Sequence, residues 1–246
     1  MKLEAAKIVS DRLNLKFEER RGINFLLNED ILKKEIELLN LRKNDIVLEI
    51  GPGLGESIDL LKEKSFKYYV GIELDKKLYN YLEKKENENV VIIRGDASKI
   101  RLPYFDKLLS NLPFYAVDKI MFNLVKYEGW EGVFIIPLSF ANKLAEKNSN
   151  KMLYLSYFLK IIHIEKLDPK DFYPIPKTQI VLVKIKRESN EITKILRENK
   201  VKIKNIIKKY KVSNYTGIID LLEKRIGDLD REELSKFISF CESNFY

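Results

Sequence analysis

One cysteine and one histidine stand among 246 residues. Cys241 alone excludes an internal disulfide framework and any cysteine-cluster metal site. His163 alone cannot build a histidine zinc site, and a Ser-His-Asp triad would have to be built on it. It sits among Ile161, Ile162 and Ile164, which reads as a packed or edge-strand histidine. No metal is expected. No apolar run reaches the ~18 residues that a membrane span needs. No apolar stretch follows Met1-Lys2-Leu3-Glu4, so no signal peptide is expected and the location is read as cytoplasmic. Internal repeats and low-complexity segments are missing too. What the chain has in plenty is charge, 33% of residues, with a formal net charge of +8. A basic balance suits a polyanionic partner such as nucleic acid, though a lysine-rich proteome would give it as well. The apolar fraction of 45% is enough for a sizeable core.

The chain is organised around Leu48-Glu49-Ile50-Gly51-Pro52-Gly53-Leu54-Gly55-Glu56. The apolar run Ile46 to Ile50 reads as a buried strand. Three glycines follow at alternate positions, then a helical pattern with Ile58, Leu60 and Leu61. A sharp strand-to-helix turn gathers backbone N–H groups at one point, and glycine lets a ligand approach the backbone. The spacing is neither that of a pyrophosphate-binding GxGxxG turn nor that of a P-loop. A second apolar strand ends in Glu73, 22 residues after Gly51. In open α/β sheets an acid about 20 positions on holds ribose hydroxyls. A third strand, Val90 to Ile93, ends in Gly95-Asp96-Ala97. Three successive strand ends, each with a glycine and an acid, argue for one nucleoside lying across the sheet edge.

From Asn44 to Val183 strands and helices alternate. Strands are expected at Ile46–Ile50, Tyr68–Glu73, Val90–Arg94, Lys107–Ser110 and Gly132–Pro137. This pattern means an α/β fold with a parallel sheet covered on both faces. Two more stretches, Tyr154–Glu165 and Ile180–Ile185, are joined by a proline-rich link too short for a covering helix. They are expected to pair antiparallel at one edge, giving seven mostly parallel strands. Residues 1–40 look helical, with Asn28 as a cap, while Asn24 and Phe25 are not explained by helix logic. Residues 1–189 are read as one domain and 190–246 as a small helical one. In the latter, Arg197 to Lys211 holds seven Lys/Arg and one Glu, an amphipathic basic helix suited to phosphates.

The fourth strand ends in Ser110-Asn111-Leu112-Pro113-Phe114. An exocyclic amine on a base is a poor nucleophile because its lone pair is delocalised. An asparagine oxygen and a main-chain carbonyl can accept its two hydrogens and turn that lone pair towards an electrophile. Proline stiffens the turn, and an aromatic ring can stack on an extruded base. Positioning then carries most of the catalysis. An ordinary Asn-Pro turn with a core phenylalanine would look the same; the nucleoside site on the preceding strands tips the balance.

Asn24-Phe25-Leu26, Glu49 to Gly55, Ile72-Glu73-Leu74-Asp75, Gly95-Asp96-Ala97, Asn111-Leu112-Pro113-Phe114 and Phe172-Tyr173-Pro174-Ile175-Pro176-Lys177 come in one order. In that order they resemble the ribosomal RNA adenine N6-dimethyltransferases, a family that includes the small-subunit enzyme and the erythromycin-resistance methylases. The resemblance covers about residues 20–186; Gly227 to Leu234 is similar to the family's last helical segment. It implies a Rossmann-like class I methyltransferase and S-adenosylmethionine (S-adenosyl-L-methionine) as donor. Asn24 and Leu26 would line the methionine end, beside Gly51 and Gly53. Glu73 would take the ribose hydroxyls and Asp96 the cofactor's adenine amine; Leu74, Ala97 and Asn111 complete the cofactor set. Asn111 and the Leu112 carbonyl would orient the target N6, with Pro113 fixing the turn. Phe114 would stack on the target adenine, and Phe172 would form a second wall. The implied partner is RNA, small-subunit rRNA or its precursor particle, and the implied product is dimethyladenosine at two adjacent adenines. A monomer is expected.

Some positions depart from the family pattern. Ile23 replaces a glutamine, Asn28 an acid and Phe114 a tyrosine. Pro137-Leu138-Ser139-Phe140-Ala141 lacks the usual charges, Val117-Asp118-Lys119 replaces Ser-Thr-Pro, and Lys208-Lys209 replaces a longer basic run. The alternative is therefore a paralogue with weakened or lost catalysis, acting as an RNA- or ribosome-binding assembly factor.

Overall fold

The computed structural model describes residues 3–15 and 24–245. The departure at Ile23 lies outside the described residues. The chain divides into two compact units, Met1–Ala141 with Ile161–Lys186, and Asn142–Lys160 with Arg187–Tyr246. The second takes in Arg187–Tyr246, where the sequence reading set a helical domain at 190–246. It also takes Asn142–Lys160, which the sequence reading assigned to the first domain.

The first unit opens with helix α1 (Leu3–Arg12). A two-residue strand β1 (Phe25–Leu26) follows, so Asn24 and Phe25 belong neither to a helix nor to a plain turn. Helix α2 (Glu29–Leu39) starts at Asn28, whose side chain accepts from the Asp30 N–H. The cap stated from sequence is the one observed. Then come β2 (Ile46–Ile50), α3 (Glu56–Leu61), β3 (Tyr68–Glu73), α4 (Lys76–Leu82), β4 (Val90–Arg94), β5 (Lys107–Asn111), α5 (Val117–Leu124) and β6 (Glu131–Pro137). Helices α6 (Leu138–Glu146) and α7 (Asn150–Phe158) precede β7 (Leu159–Leu167), β8 (Phe172–Tyr173) and β9 (Ile180–Arg187).

Seven strands form one sheet in the order β4-β3-β2-β5-β6-β9-β7. The pairs β2–β3, β3–β4, β2–β5 and β5–β6 are parallel, and β9 runs antiparallel to β6. Strand order reverses between β2 and β5, which opens a crevice beyond their carboxyl ends. The strands are near-continuous runs of Val, Ile and Leu because both faces are covered. Val47, Leu48, Leu108, Val133, Phe134, Ile135 and Ile136 are fully buried. Helix α2 packs on β5 and β6, and α4 on β3 and β4.

One expected strand is corrected. Tyr154–Phe158 is the end of α7, and only Leu159 onwards is extended. Ser149 caps that helix by accepting from the Met152 N–H, and Met152, Leu153, Leu155 and Phe158 are buried on more than one side. A helix buried all round carries no polar stripe to mark its period. Strand β7 lies at the sheet edge, next to β9 as expected.

In the second unit α7 is joined by α8 (Glu191–Arg197), α9 (Ile203–Lys209) and α10 (Arg231–Asn244). The expected basic helix over Arg197–Lys211 is corrected: only seven of those residues form α9. Ile203, Ile206 and Ile207 are buried. Lys202 and Lys204 pair with Glu223, and Lys209 with Glu198. Those exposed pairs leave a less positive face than the sequence suggests. Asp230 and Glu233 form a capping box that starts α10 within the stretch 227–234.

Candidate active site

A cleft of about 550 Å³ opens at the carboxyl ends of β2, β3, β4 and β5. The turn after β2 builds its floor. Gly51, Gly53 and Gly55 have φ of +72°, +60° and +73°, a left-handed conformation that side chains disfavour. Their missing Cβ atoms do different work. At Gly51 a Cβ would meet nothing within 4 Å, because the position faces the open cleft. At Gly53 it would lie 3.4 Å from the Phe25 ring, and at Gly55 2.8 Å from Leu82 Cδ2. Gly51 therefore leaves room for a ligand, whereas Gly55 leaves room for the protein's own packing. The Ser110 hydroxyl donates to the Ile50 carbonyl at 2.5 Å, tying the ends of β2 and β5 together.

Glu73 ends β3 and is 5% exposed. Its Oε1 accepts from the Asp75 N–H at 2.8 Å. Burial pushes the carboxyl up to about 7, against the hydrogen bonds it accepts from the Asp75 and Gly53 backbone. Asp96 follows β4. Burial works against its charge, but hydrogen bonds from Ser98 and the Lys99 ammonium outweigh it and hold the carboxyl below its usual range. Its Oδ1 takes the Ser98 N–H and hydroxyl, and its Oδ2 lies 3.1 Å from Lys99 Nζ. Buried Asn123 of α5 donates to the carbonyls of Ala97 and Ile100, at 2.7 and 3.0 Å, and so fixes the loop that carries Asp96.

Asn111 ends β5. Its Nδ2 donates to the Asn24 carbonyl at 2.7 Å, and Asn24 Nδ2 donates to the Pro174 carbonyl at 2.6 Å. Strands β1 and β8 pair here, Phe25 with Tyr173 and Leu26 with Phe172. That chain of bonds fixes the Asn111 amide by its nitrogen and leaves its oxygen as an acceptor.

The structure brings Asn24, Leu26, Gly51, Gly53, Glu73, Leu74, Asp96, Ala97, Asn111 and Pro113 together as lining of the cleft. It does not bring Leu112, Phe114 or Phe172 into that lining. Leu112 and Phe172 are each 1% exposed, and Phe114 is partly buried against the main core. Sequence reasoning missed Tyr115, which lines the cleft and is 53% exposed. It also missed Ser57 and Glu35 as lining, and Glu49 as a buried acid. Glu49 Oε2 accepts from the Ser57 hydroxyl at 2.5 Å and the Tyr69 hydroxyl at 2.6 Å. Burial carries its carboxyl to about 7 despite those two donors. Glu35 could have been found by position: it falls on the apolar stripe Leu32, Ile36, Leu39, where a charge is out of place.

The family model for ribosomal RNA adenine dimethylase matches residues 14–212. The chain belongs to this family. It is 34% identical over 197 residues to a protein of Thermococcus sibiricus named probable ribosomal RNA small subunit methyltransferase A, covering 78% of this chain and 72% of that one. The fold is that of Rossmann-like methyltransferases. A dimethyladenosine transferase from Plasmodium falciparum superposes with a TM-score of 0.62 at 22% identity, over 90% of this chain and all of that one. The 23S rRNA methyltransferase ErmE superposes with a TM-score of 0.60 at 17% identity, over 87% of this chain and 98% of that one. Among the described residues no helix is long and apolar enough to cross a membrane.

Proposed function

We propose that this family member holds S-adenosylmethionine in the cleft and methylates adenine N6 in small-subunit rRNA at Asn111. The residues present fit the donor: Gly51 keeps its backbone open, Glu73 offers a buried carboxylate for ribose hydroxyls, and Asp96 offers acceptor oxygens for an adenine amine. When bound, the donor supplies an electrophilic methyl on a sulfonium. The chain's own residues bind, orient and exclude water. The observation that carries the reading is the Asn111–Asn24–Pro174 relay, which pins the Asn111 amide by its nitrogen and leaves its oxygen as an acceptor. An acceptor fixed in that way takes one N6 hydrogen without reorganisation. No shifted general base is required.

Tyr115 is the aromatic face at the cleft that a target base would meet, and Phe114 supports the turn from the core side. The compartment is taken as the cytoplasm, the protein as a monomer and the small unit as an RNA-contacting one. Labelled methyl groups are expected to enter unmethylated small subunits, with mass mapping giving dimethyladenosine at adjacent adenines. Absence of transfer and of cofactor binding, with tight salt-dependent RNA binding retained, would replace this reading with the assembly factor.

A further inference from the structure

Glu35 is 2% exposed on α2, and its Oε1 has no hydrogen-bond partner among the described residues. It lines the same cleft as Glu49. A buried polar atom left without a partner is rare in a folded protein, and it points to a donor that arrives with a ligand. The charged groups on the elements packed against α2 supply no cation for it. Strand β2 brings Glu49, whose two recorded donors, Ser57 and Tyr69, both fall on Oε2. Helix α3 brings Glu56 and Asp59, and Asp59 is held by Lys62 and Lys85. Strands β5 and β6 bring Lys107 and Glu131, which pair with each other at the opposite ends of those strands, with Asp45 and Lys184 beside them. Among the described residues the cleft is lined by Glu35, Glu49, Glu56, Glu73, Asp75 and Asp96 against one cationic side chain, Lys76. A cleft so lined favours a cationic ligand. Three potential metal ligands do not gather anywhere among the described residues, so the pair suits an organic cation. Helix α2, which carries Glu35, packs on β5 and β6, the strands on the other side of β2 from β3 and β4 with Glu73 and Asp96.

We infer that Glu35, with Glu49, is the seat of the ammonium group on the donor's amino-acid end, and that binding there releases a proton from the carboxyl pair to solvent. The inference rests on the reading of the cleft as the donor's site. In balance, a protonated Glu35 and a ligand ammonium give an ion pair and one free proton. Without a cation beside it, burial and then the charge of Glu49 hold the Glu35 carboxyl well above its usual range, favouring the protonated form.

Calorimetry on the full chain at pH 7, in buffers of differing ionisation enthalpy, tests this. S-adenosylmethionine is expected to release about one proton per molecule bound. Glu35→Gln is expected to cut that release to the part that Glu49 and Glu73 give up and to weaken binding about tenfold, the weight of one charge-assisted hydrogen bond. 5′-Methylthioadenosine, which has no amino-acid end but keeps the ribose that Glu73 meets, is expected to bind wild type and Glu35→Gln alike and to release in both only the part of a proton that Glu73 gives up. Glu35→Leu is expected to raise the Tm while weakening S-adenosylmethionine binding. Proton release with S-adenosylmethionine no greater than with methylthioadenosine, unchanged affinity in Glu35→Gln, or an equal loss of affinity for methylthioadenosine would overturn the inference and leave the cofactor reading standing. No binding of S-adenosylmethionine to wild type would overturn the cofactor reading, and this inference with it.

Discussion

Gly51→Ala should separate ligand binding from folding, and Gly55→Ala should do the reverse. Both positions are left-handed, at φ +72° and +73°, so alanine at either costs about 1–2 kcal/mol of backbone strain. At Gly51 nothing lies within 4 Å of the added methyl, so no further loss of stability is expected. The methyl would instead project into the cleft, where a ligand must pass close to the backbone. At Gly55 the methyl would lie 2.8 Å from Leu82 Cδ2 and 2.9 Å from Lys85 Cδ, and relieving that overlap adds about 1–3 kcal/mol. Urea denaturation should therefore give a loss of about 1–2 kcal/mol for Gly51→Ala and about 2–5 kcal/mol for Gly55→Ala. Calorimetry with S-adenosylmethionine should show binding lost by about 100-fold or more in Gly51→Ala, the equivalent of about 3 kcal/mol of steric conflict. Gly55→Ala should bind normally once folded. Wild-type affinity in Gly51→Ala would refute the assignment of the turn as the cofactor floor.

Other consequences follow from buried polar groups. Asn123→Ala leaves the Ala97 and Ile100 carbonyls without their donor and should cost about 1–3 kcal/mol in denaturant, with weaker cofactor binding because the Asp96 loop loosens. Lys107→Met strands Glu131 and, at longer range, Asp45; a loss of about 2–4 kcal/mol is expected, since Lys184 still lies 3.4 Å from Glu131. The ligand-free protein should lose stability as pH rises from about 4.5 to about 7. Glu35, Glu49 and Glu73 have raised carboxyls, so the folded state holds more protons than the unfolded chain in that window. Glu49→Gln should flatten the slope of Tm against pH, and an unchanged slope would contradict the assignment.

The strands of the sheet were legible because each is a short run of β-branched and apolar residues ended by glycine or an acid. Ile46–Ile50 and Val90–Arg94 are placed to the residue. Tyr154–Phe158 was not legible, because one continuous apolar run changes from helix to strand at Leu159 with no punctuation. The pairing of Phe25 and Leu26 with Tyr173 and Phe172 joins segments almost 150 residues apart, which no local pattern reports. It also explains why Asn24 stands where it does: its carbonyl receives the Asn111 amide. The basic stretch after Arg197 misled because lysines look alike in sequence whether paired or not. Lys202, Lys204 and Lys209 find their acids at positions 223 and 198. Within the cleft, acids at strand ends announce themselves, whereas Glu35 shows only as a charge on the apolar stripe of its helix, beside Leu32 and Ile36.

The claim that a pinned Asn111 aligns the target amine is tested most directly by Asn111→Ala, assayed for methyl transfer to unmethylated small subunits beside calorimetry with S-adenosylmethionine. Transfer should fall by about 100-fold or more, as for loss of one preorganised acceptor, while the cofactor still binds. Transfer at the wild-type rate in that variant would contradict the account.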